Sequence, residues 1–459
     1  MISRMRLFAL IGLLLPLLLR VASPPTANIS FFLLAAYAML GRKEAIQAIA
    51  MCWLFTMISP GVAPPASLGS IGRYAVFFAA FGSVFLRSGV LFGGSSITRP
   101  VLATISLGFF LIVHSVLLSP IPDVSILKAA SWVMVTATLL SAWGQMSTDE
   151  GLKLFKQLYN GLVVIMLVSV PLVVLPLGYL RNGTGFQGIL NHPQAFGPTM
   201  AILGALAGSS LLAQRKPSWG SLGIFASCLV LILLSEARTA GVALILGLVI
   251  GFVVAPLLSG RKIIDTVPGL KSRRLWGGAS IVLIVALVFS PLIYQKASNF
   301  ISKSGRAGES MTIAEAYDKS RGGLIDRLLE NIEENPLTGI GFGIASNPFE
   351  MIVERDPVIG LPVGASIEKG VLPMAVAEEL GLIGAFLVFM WFWMVVKRAG
   401  LSGFTPLALT TTALLLNMGE NTFFSPGGLG GLLLVFVCWA STEPLSLEAK
   451  SMKKRQEYN

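Results

Sequence analysis

Apolar residues run along this chain in long unbroken stretches, not in alternation. Fourteen such stretches lie at about 7–21, 28–41, 44–59, 71–88, 101–118, 125–143, 158–178, 193–213, 220–235, 240–257, 275–294, 373–396, 402–418 and 425–441. Short segments between them hold most of the charge. In lipid a backbone satisfies its own polar groups only as a helix or as a closed barrel, and barrel strands alternate. Continuous runs therefore predict helices. Several runs, above all the second and third, fall short of the roughly 20 residues of a straight crossing. The pattern predicts an all-α polytopic membrane protein of about fourteen transmembrane helices. Residues 1–294 hold eleven of them, 295–372 form one long loop, and 373–459 hold the last three and a basic tail.

The long loop has a pattern of its own. Its 78 residues carry 8 basic and 11 acidic side chains. Ile313, Tyr317, Leu324, Leu328 and Ile332 recur at near-helical spacing, so part of the loop is expected to be helical. Asn335-Pro336-Leu337 ends that pattern, and Gly339-Ile340-Gly341-Phe342-Gly343 follows.

Composition excludes a soluble chain. Of 459 residues, 54% are apolar and 12% charged, with a mean hydropathy of +0.78; a typical soluble chain is about 25% charged. The net charge of +11 is read as cytoplasmic Lys and Arg rather than as a nucleic-acid footprint. With the N-terminus inside, 21 basic residues fall on inner segments, from Arg4 to Arg455. The short outer segments hold Arg20, Arg73, Arg181 and Arg238, and Lys128 is expected to snorkel from the outer start of the sixth span. The bias predicts two cytoplasmic termini and a periplasmic 295–372 loop. The first 25 residues resemble a signal peptide, but Pro24 and the spans beyond it favour an uncleaved first helix. Cys52, Cys228 and Cys438 lie in apolar runs and suggest neither a disulfide framework nor a metal site.

Candidate chemistry sits at outer segments. The stretch from Arg181 to Pro193 is rich in Gly and Asn, so its backbone N–H groups could approach an anion and its end could cap a helix. Asn191 or His192 is the expected N-cap, with Pro193 in the first turn. Ser235-Glu236-Ala237-Arg238-Thr239 is a tight turn whose charges are either solvated or, for Arg238, turned to a phosphate. Arg321 precedes the glycine run. Glu368, beside Lys369, is either a base or a surface ion pair. His114, inside a span, is read as a satisfied interior histidine.

Taken together, four stretches resemble the bacterial O-antigen ligase and O-antigen (exopolysaccharide) polymerase superfamily. They are Gly185 to Gly197, Leu234 to Ala240, Arg321 with Asn335 to Gly343, and Glu378 to Gly384. The resemblance implies a glycosyltransferase of the inner membrane, acting in lipopolysaccharide or exopolysaccharide biosynthesis. It would move a glycan from undecaprenyl diphosphate to a glycan or lipid A-core acceptor. No cofactor, metal or nucleic acid is implied, and a chain-length regulator is a candidate partner. Arg181, Arg238 and Arg321 would hold the diphosphate. Ligases of this family carry a histidine shortly before the Glu-Leu-Gly helix start. Here Ser366-Ile367-Glu368-Lys369-Gly370 stands in its place, which tilts the reading towards a polymerase. The base would then be Glu368, ranked ahead of His192. The rival class is a lipid-linked oligosaccharide flippase or other polytopic transporter, which should show charged residues at broken helices near the midplane.

Overall fold

The computed structural model describes residues 4–88, 98–180, 185–260, 262–288, 313–356, 360–365 and 369–442. Within them every one of the fourteen apolar runs falls on a helix. These are α1 (Arg4–Ala22), α2 (Pro24–Ala38), α3 (Arg42–Met57), α4 (Gly69–Ser88), α5 (Arg99–Leu118), α6 (Pro122–Gly144), α7 (Thr148–Ser169), α8 (Pro193–Ala213), α9 (Trp219–Ser235), α10 (Arg238–Ser259) and α11 (Arg273–Val288), followed after the long loop's helix α12 (Ile313–Glu334) by α13 (Leu372–Ser402), α14 (Phe404–Leu416) and α15 (Leu429–Thr442). Among the described residues seven helices, α4 to α8, α10 and α13, are long and apolar enough to cross a membrane. Four more are apolar but shorter: α9, α14, α15 and the Gly12–Ala22 part of α1. The chain is a mostly helical, multi-pass membrane protein.

Local signals set the helix ends. Ser147 and Glu150 form a reciprocal cap: Ser147 N–H and Oγ donate to Glu150 Oε2 at 3.3 and 2.8 Å, and Glu150 N–H donates to Ser147 Oγ at 3.4 Å. This starts α7 ten residues before the apolar run that begins at 158. Pro171 and Pro176 end it early, in two 3₁₀ turns. Pro24 and Pro25 separate α1 from α2, with Thr26 Oγ1 accepting the Ser23 N–H at 3.0 Å.

Two compact units divide the chain. The first comprises residues 1–151, 323–395 and 417–439. In it α1 packs on α2, α2 on α3 and α4, α4 on α6, and α5 on α6. Arg20 is buried and donates from Nε to Phe55 O (3.1 Å) and from Nη1 to Pro64 O (2.6 Å), which fastens the end of α1. Its aromatic core joins Trp132 to Trp391 and Phe424 at 5.3 and 5.0 Å between ring centroids. The long loop is part helix, as its spacing predicts. It also holds a feature the pattern does not announce, an antiparallel hairpin of β1 (Val353–Arg355) and β2 (Pro362–Ala365).

The second unit comprises residues 152–322, 396–416 and 440–459. α8 is its central helix, in contact with α9, α10 and α14. Of its 21 residues 17 are buried. A helix apolar on all sides suits this position.

Candidate functional site

In the first unit the centre of interest is a break in α13. Gly381 takes φ 63 and ψ −176, which interrupts the helical ladder. The segment after α12 fills the gap. Ile340 N–H donates to Glu378 O (2.9 Å), Gly341 N–H to Glu379 O (3.0 Å), and Leu382 N–H to Pro336 O (2.8 Å). Freed backbone groups inside an apolar helix need such partners. The approach is close enough that a Cβ on Gly339 would overlap the Glu379 carbonyl, and one on Gly381 the Leu337 carbonyl. Both glycines also have φ near +65° (68 and 63), a region that costs other residues about 1–2 kcal/mol.

Charges gather at this break. Lys369 Nζ lies 2.6 Å from Glu378 Oε2 and 3.2 Å from Glu379 Oε1, and all three side chains are buried. Glu378 Oε1 accepts from Asn331 Nδ2 at 2.6 Å, and Glu379 Oε2 accepts the Gly343 N–H at 2.6 Å. Buried carboxylates need this density of donors and cations. His114 serves the same segment. Its Nε2 donates to Thr338 O at 2.7 Å, as expected of an interior histidine, but its buried Nδ1 has no hydrogen-bond partner among the described residues, so the ring is only half satisfied.

Lys128 departs from expectation. It does not snorkel. Its Nζ lies 5.4 Å from the Phe342 ring centroid, and its stem fills the space that Gly343 leaves for want of a side chain. The ring face attracts the cation. Lys128, Arg73, Ser131 and Asn421 line a cavity of about 330 Å³, with strand β2 on its wall through Pro362 and Gly364. The hairpin is tied to the start of α6 by Arg355 Nη1 and Asp123 Oδ2, 2.5 Å apart.

In the second unit two quoted stretches pack against each other. Phe186 N–H donates to Leu234 O at 2.9 Å, and α8 approaches the 235–240 turn so closely that a Cβ at Gly197 would overlap that of Ala237. Phe186 is fully buried between Tyr179 and Phe196. The expectation that this loop offers its N–H groups to a ligand is not met over 186–190. Gln187 and Gly188 donate to Gly178 O, Ile189 to Ser169 Oγ, and Leu190 to Gln187 O. The buried Phe186 folds the loop inward and spends its donors there. Arg181 and the rest of 181–184 lie outside the described residues.

His192 is the N-cap of α8. Its Nδ1 accepts the Gln194 N–H at 3.1 Å, so in the neutral ring the proton sits on Nε2. The lone pair a base would use is occupied by the cap. Substituting Asn, itself a strong N-cap, should leave stability within a few tenths of a kcal/mol, whereas His192→Ala should cost about 1 kcal/mol. Thermal unfolding in detergent measures both; a cost as large for Asn as for Ala would contradict the capping role.

The remaining residues divide. Arg238 opens α10 and is half-buried, at the start of the helix that follows the turn. Glu236 beside it has φ 55, the one non-glycine left-handed residue among those described. Arg321 belongs to α12 by its backbone, and its side chain is outside the described set, as is all of Glu368. The structure therefore brings together the sequence stretches, 185–197 with 234–240 and 335–343 with 378–384, while a meeting of the three arginines is neither seen nor refuted. Sequence reasoning missed the Lys369, Glu378 and Glu379 cluster. The signal was present: acidic residues within an otherwise apolar span are costly and usually functional.

Compared with known proteins, the chain matches no family model and no curated protein.

Proposed function

We propose that the chain is a membrane glycosyltransferase of the O-antigen ligase and polymerase type, with a polymerase-like activity preferred over ligation to lipid A-core. In this reading all fourteen apolar helices cross the bacterial inner membrane, both termini are cytoplasmic, and 295–372 faces the periplasm. An acceptor hydroxyl attacks the anomeric carbon of a glycan held on undecaprenyl diphosphate. The new C–O bond forms as the bond to the phosphate oxygen breaks. The hydroxyl proton passes to a base, proposed as Glu368, and the lipid diphosphate leaves with the bonding pair. Arg181, Arg238 and Arg321 would stabilise the charge that develops on it. The observation that supports this reading is that the four stretches meet in two pairs, 185–197 on 234–240 in one unit and 335–343 on 378–384 in the other. Their resemblance to family motifs is the other support.

The test is elongation in proteoliposomes supplied with undecaprenyl-diphosphate-linked repeat units. A ladder of longer glycans with release of undecaprenyl diphosphate is expected. Unextended glycan without release would overturn the reading. One observation favours a second reading, a lipid-linked oligosaccharide transporter. Buried charges beside a broken helix are what such a protein uses to bind cargo. That reading expects the glycan to reach the opposite leaflet unextended, scored by an impermeant lectin.

A further inference from the structure

We propose that the cavity of the first unit is a subsite for an acidic sugar, one whose carboxylate reaches Lys128 while its hydroxyls meet Asn421 and Ser131. The proposal rests on the glycan-transfer reading and adds to it the substrate's chemical class. Its place is set by Lys128, Arg73, Tyr74, Ser131 and Asn421 around about 330 Å³ of space, within the range of small-ligand pockets.

The charge balance calls for an anion. Lys128 makes no ion pair within 4 Å among the described residues. Glu379 is already engaged by Lys369 and by the Gly343 N–H. Arg73 is positioned flat: its guanidinium packs against Gly427 on α15's approach segment and lies 5.1 Å from the Tyr74 ring centroid. It is engaged within the fold as well, so Lys128 is the cation on which an entering anion depends most. Such a cation in a partly enclosed cavity attracts a carboxylate strongly, because little water screens it.

The uncharged lining decides which anion. Asn421 Oδ1 is buried and lacks a hydrogen-bond partner. A buried acceptor left unmade costs about 1–3 kcal/mol, so a ligand that donates is favoured. Ionised diphosphate offers acceptors only. A sugar offers hydroxyl donors beside its carboxylate, and its C–H face suits the rings of Tyr74 and Phe77, which also line the space. The cavity therefore fits the sugar portion of a substrate better than its lipid diphosphate.

The experiment uses the full chain in nanodiscs. It is titrated with a glucuronate-containing tetrasaccharide, the same tetrasaccharide with its carboxyls reduced, and undecaprenyl diphosphate. The wild type should bind the acidic probe about tenfold more tightly than the reduced one, the size of one charge-assisted hydrogen bond. Lys128→Met should abolish that preference and leave the reduced probe and undecaprenyl diphosphate unchanged. Equal binding of the two tetrasaccharides by the wild type overturns the proposal, and this arm needs no folded variant. Loss of undecaprenyl diphosphate binding in a folded Lys128→Met protein overturns it too, by assigning the cation to the lipid carrier. Either failure leaves the elongation assay intact, so the general reading stands or falls separately.

Discussion

Lys369→Met is expected to destabilise the protein by about 3–5 kcal/mol, the usual cost of removing one partner from a buried ionic group. The Met side chain fits the stem of Lys369 but leaves Glu378 and Glu379 buried without their shared cation, which lies 2.6 and 3.2 Å from them. A second change tests the cause. Glu378→Gln in the same chain keeps an acceptor for Asn331 Nδ2 and removes one unpaired charge, so part of the loss should return. The measurement is the midpoint of thermal unfolding of detergent-extracted protein, followed by size-exclusion chromatography. A single variant as stable as the parent, or a double variant no better than the single, would contradict an electrostatic origin.

Gly339→Ala should be comparably severe for a steric reason. The residue has φ 68, and an added Cβ would overlap the Glu379 carbonyl and the Gly381 nitrogen. Left-handed strain of about 1–2 kcal/mol and overpacking of about 1–3 kcal/mol together predict a loss of about 2–5 kcal/mol. Neither neighbour can step aside, because both are backbone atoms. Gly323→Ala in α12 is the control. Nothing lies within 4 Å of its Cβ position, and a helical Gly→Ala change should gain about 0.5–1 kcal/mol. If both variants unfold alike, the close approach at the break is not what makes Gly339 necessary.

How far the sequence could be read depended on what each signal reports. Helix placement was legible because apolar composition reports the lipid environment directly, and α8 begins at Pro193 as its His192-Pro193 pair implies. The start of α7 was not, because a Ser147–Glu150 cap extends a helix through polar residues that hydropathy discounts. Lys128 was misplaced for a different reason. Phe342, the ring it faces, is more than 200 positions away, and no local pattern joins them. Lys369 and the two glutamates are only nine and ten residues apart, yet they read as the edge of a loop and the start of a span. Only the fold at Gly370 and Val371 turns the lysine back onto the helix. The resemblance singled out four stretches by their residues alone, and no local pattern showed that two of them, 335–343 and 378–384, meet over a helix break.

That break also fixes a depth. Seventeen consecutive uncharged residues, Leu380 to Val396, separate Glu379 from Lys397 and Arg398. At about 1.5 Å of rise per residue they span about 26 Å, close to the hydrocarbon thickness of about 30 Å. With the basic pair anchored at one headgroup layer, the carboxylates reach the other. In the proposed membrane-spanning reading the buried charges would then stand near a membrane surface and not at its centre, which sets them apart from the midplane charges of a transporter.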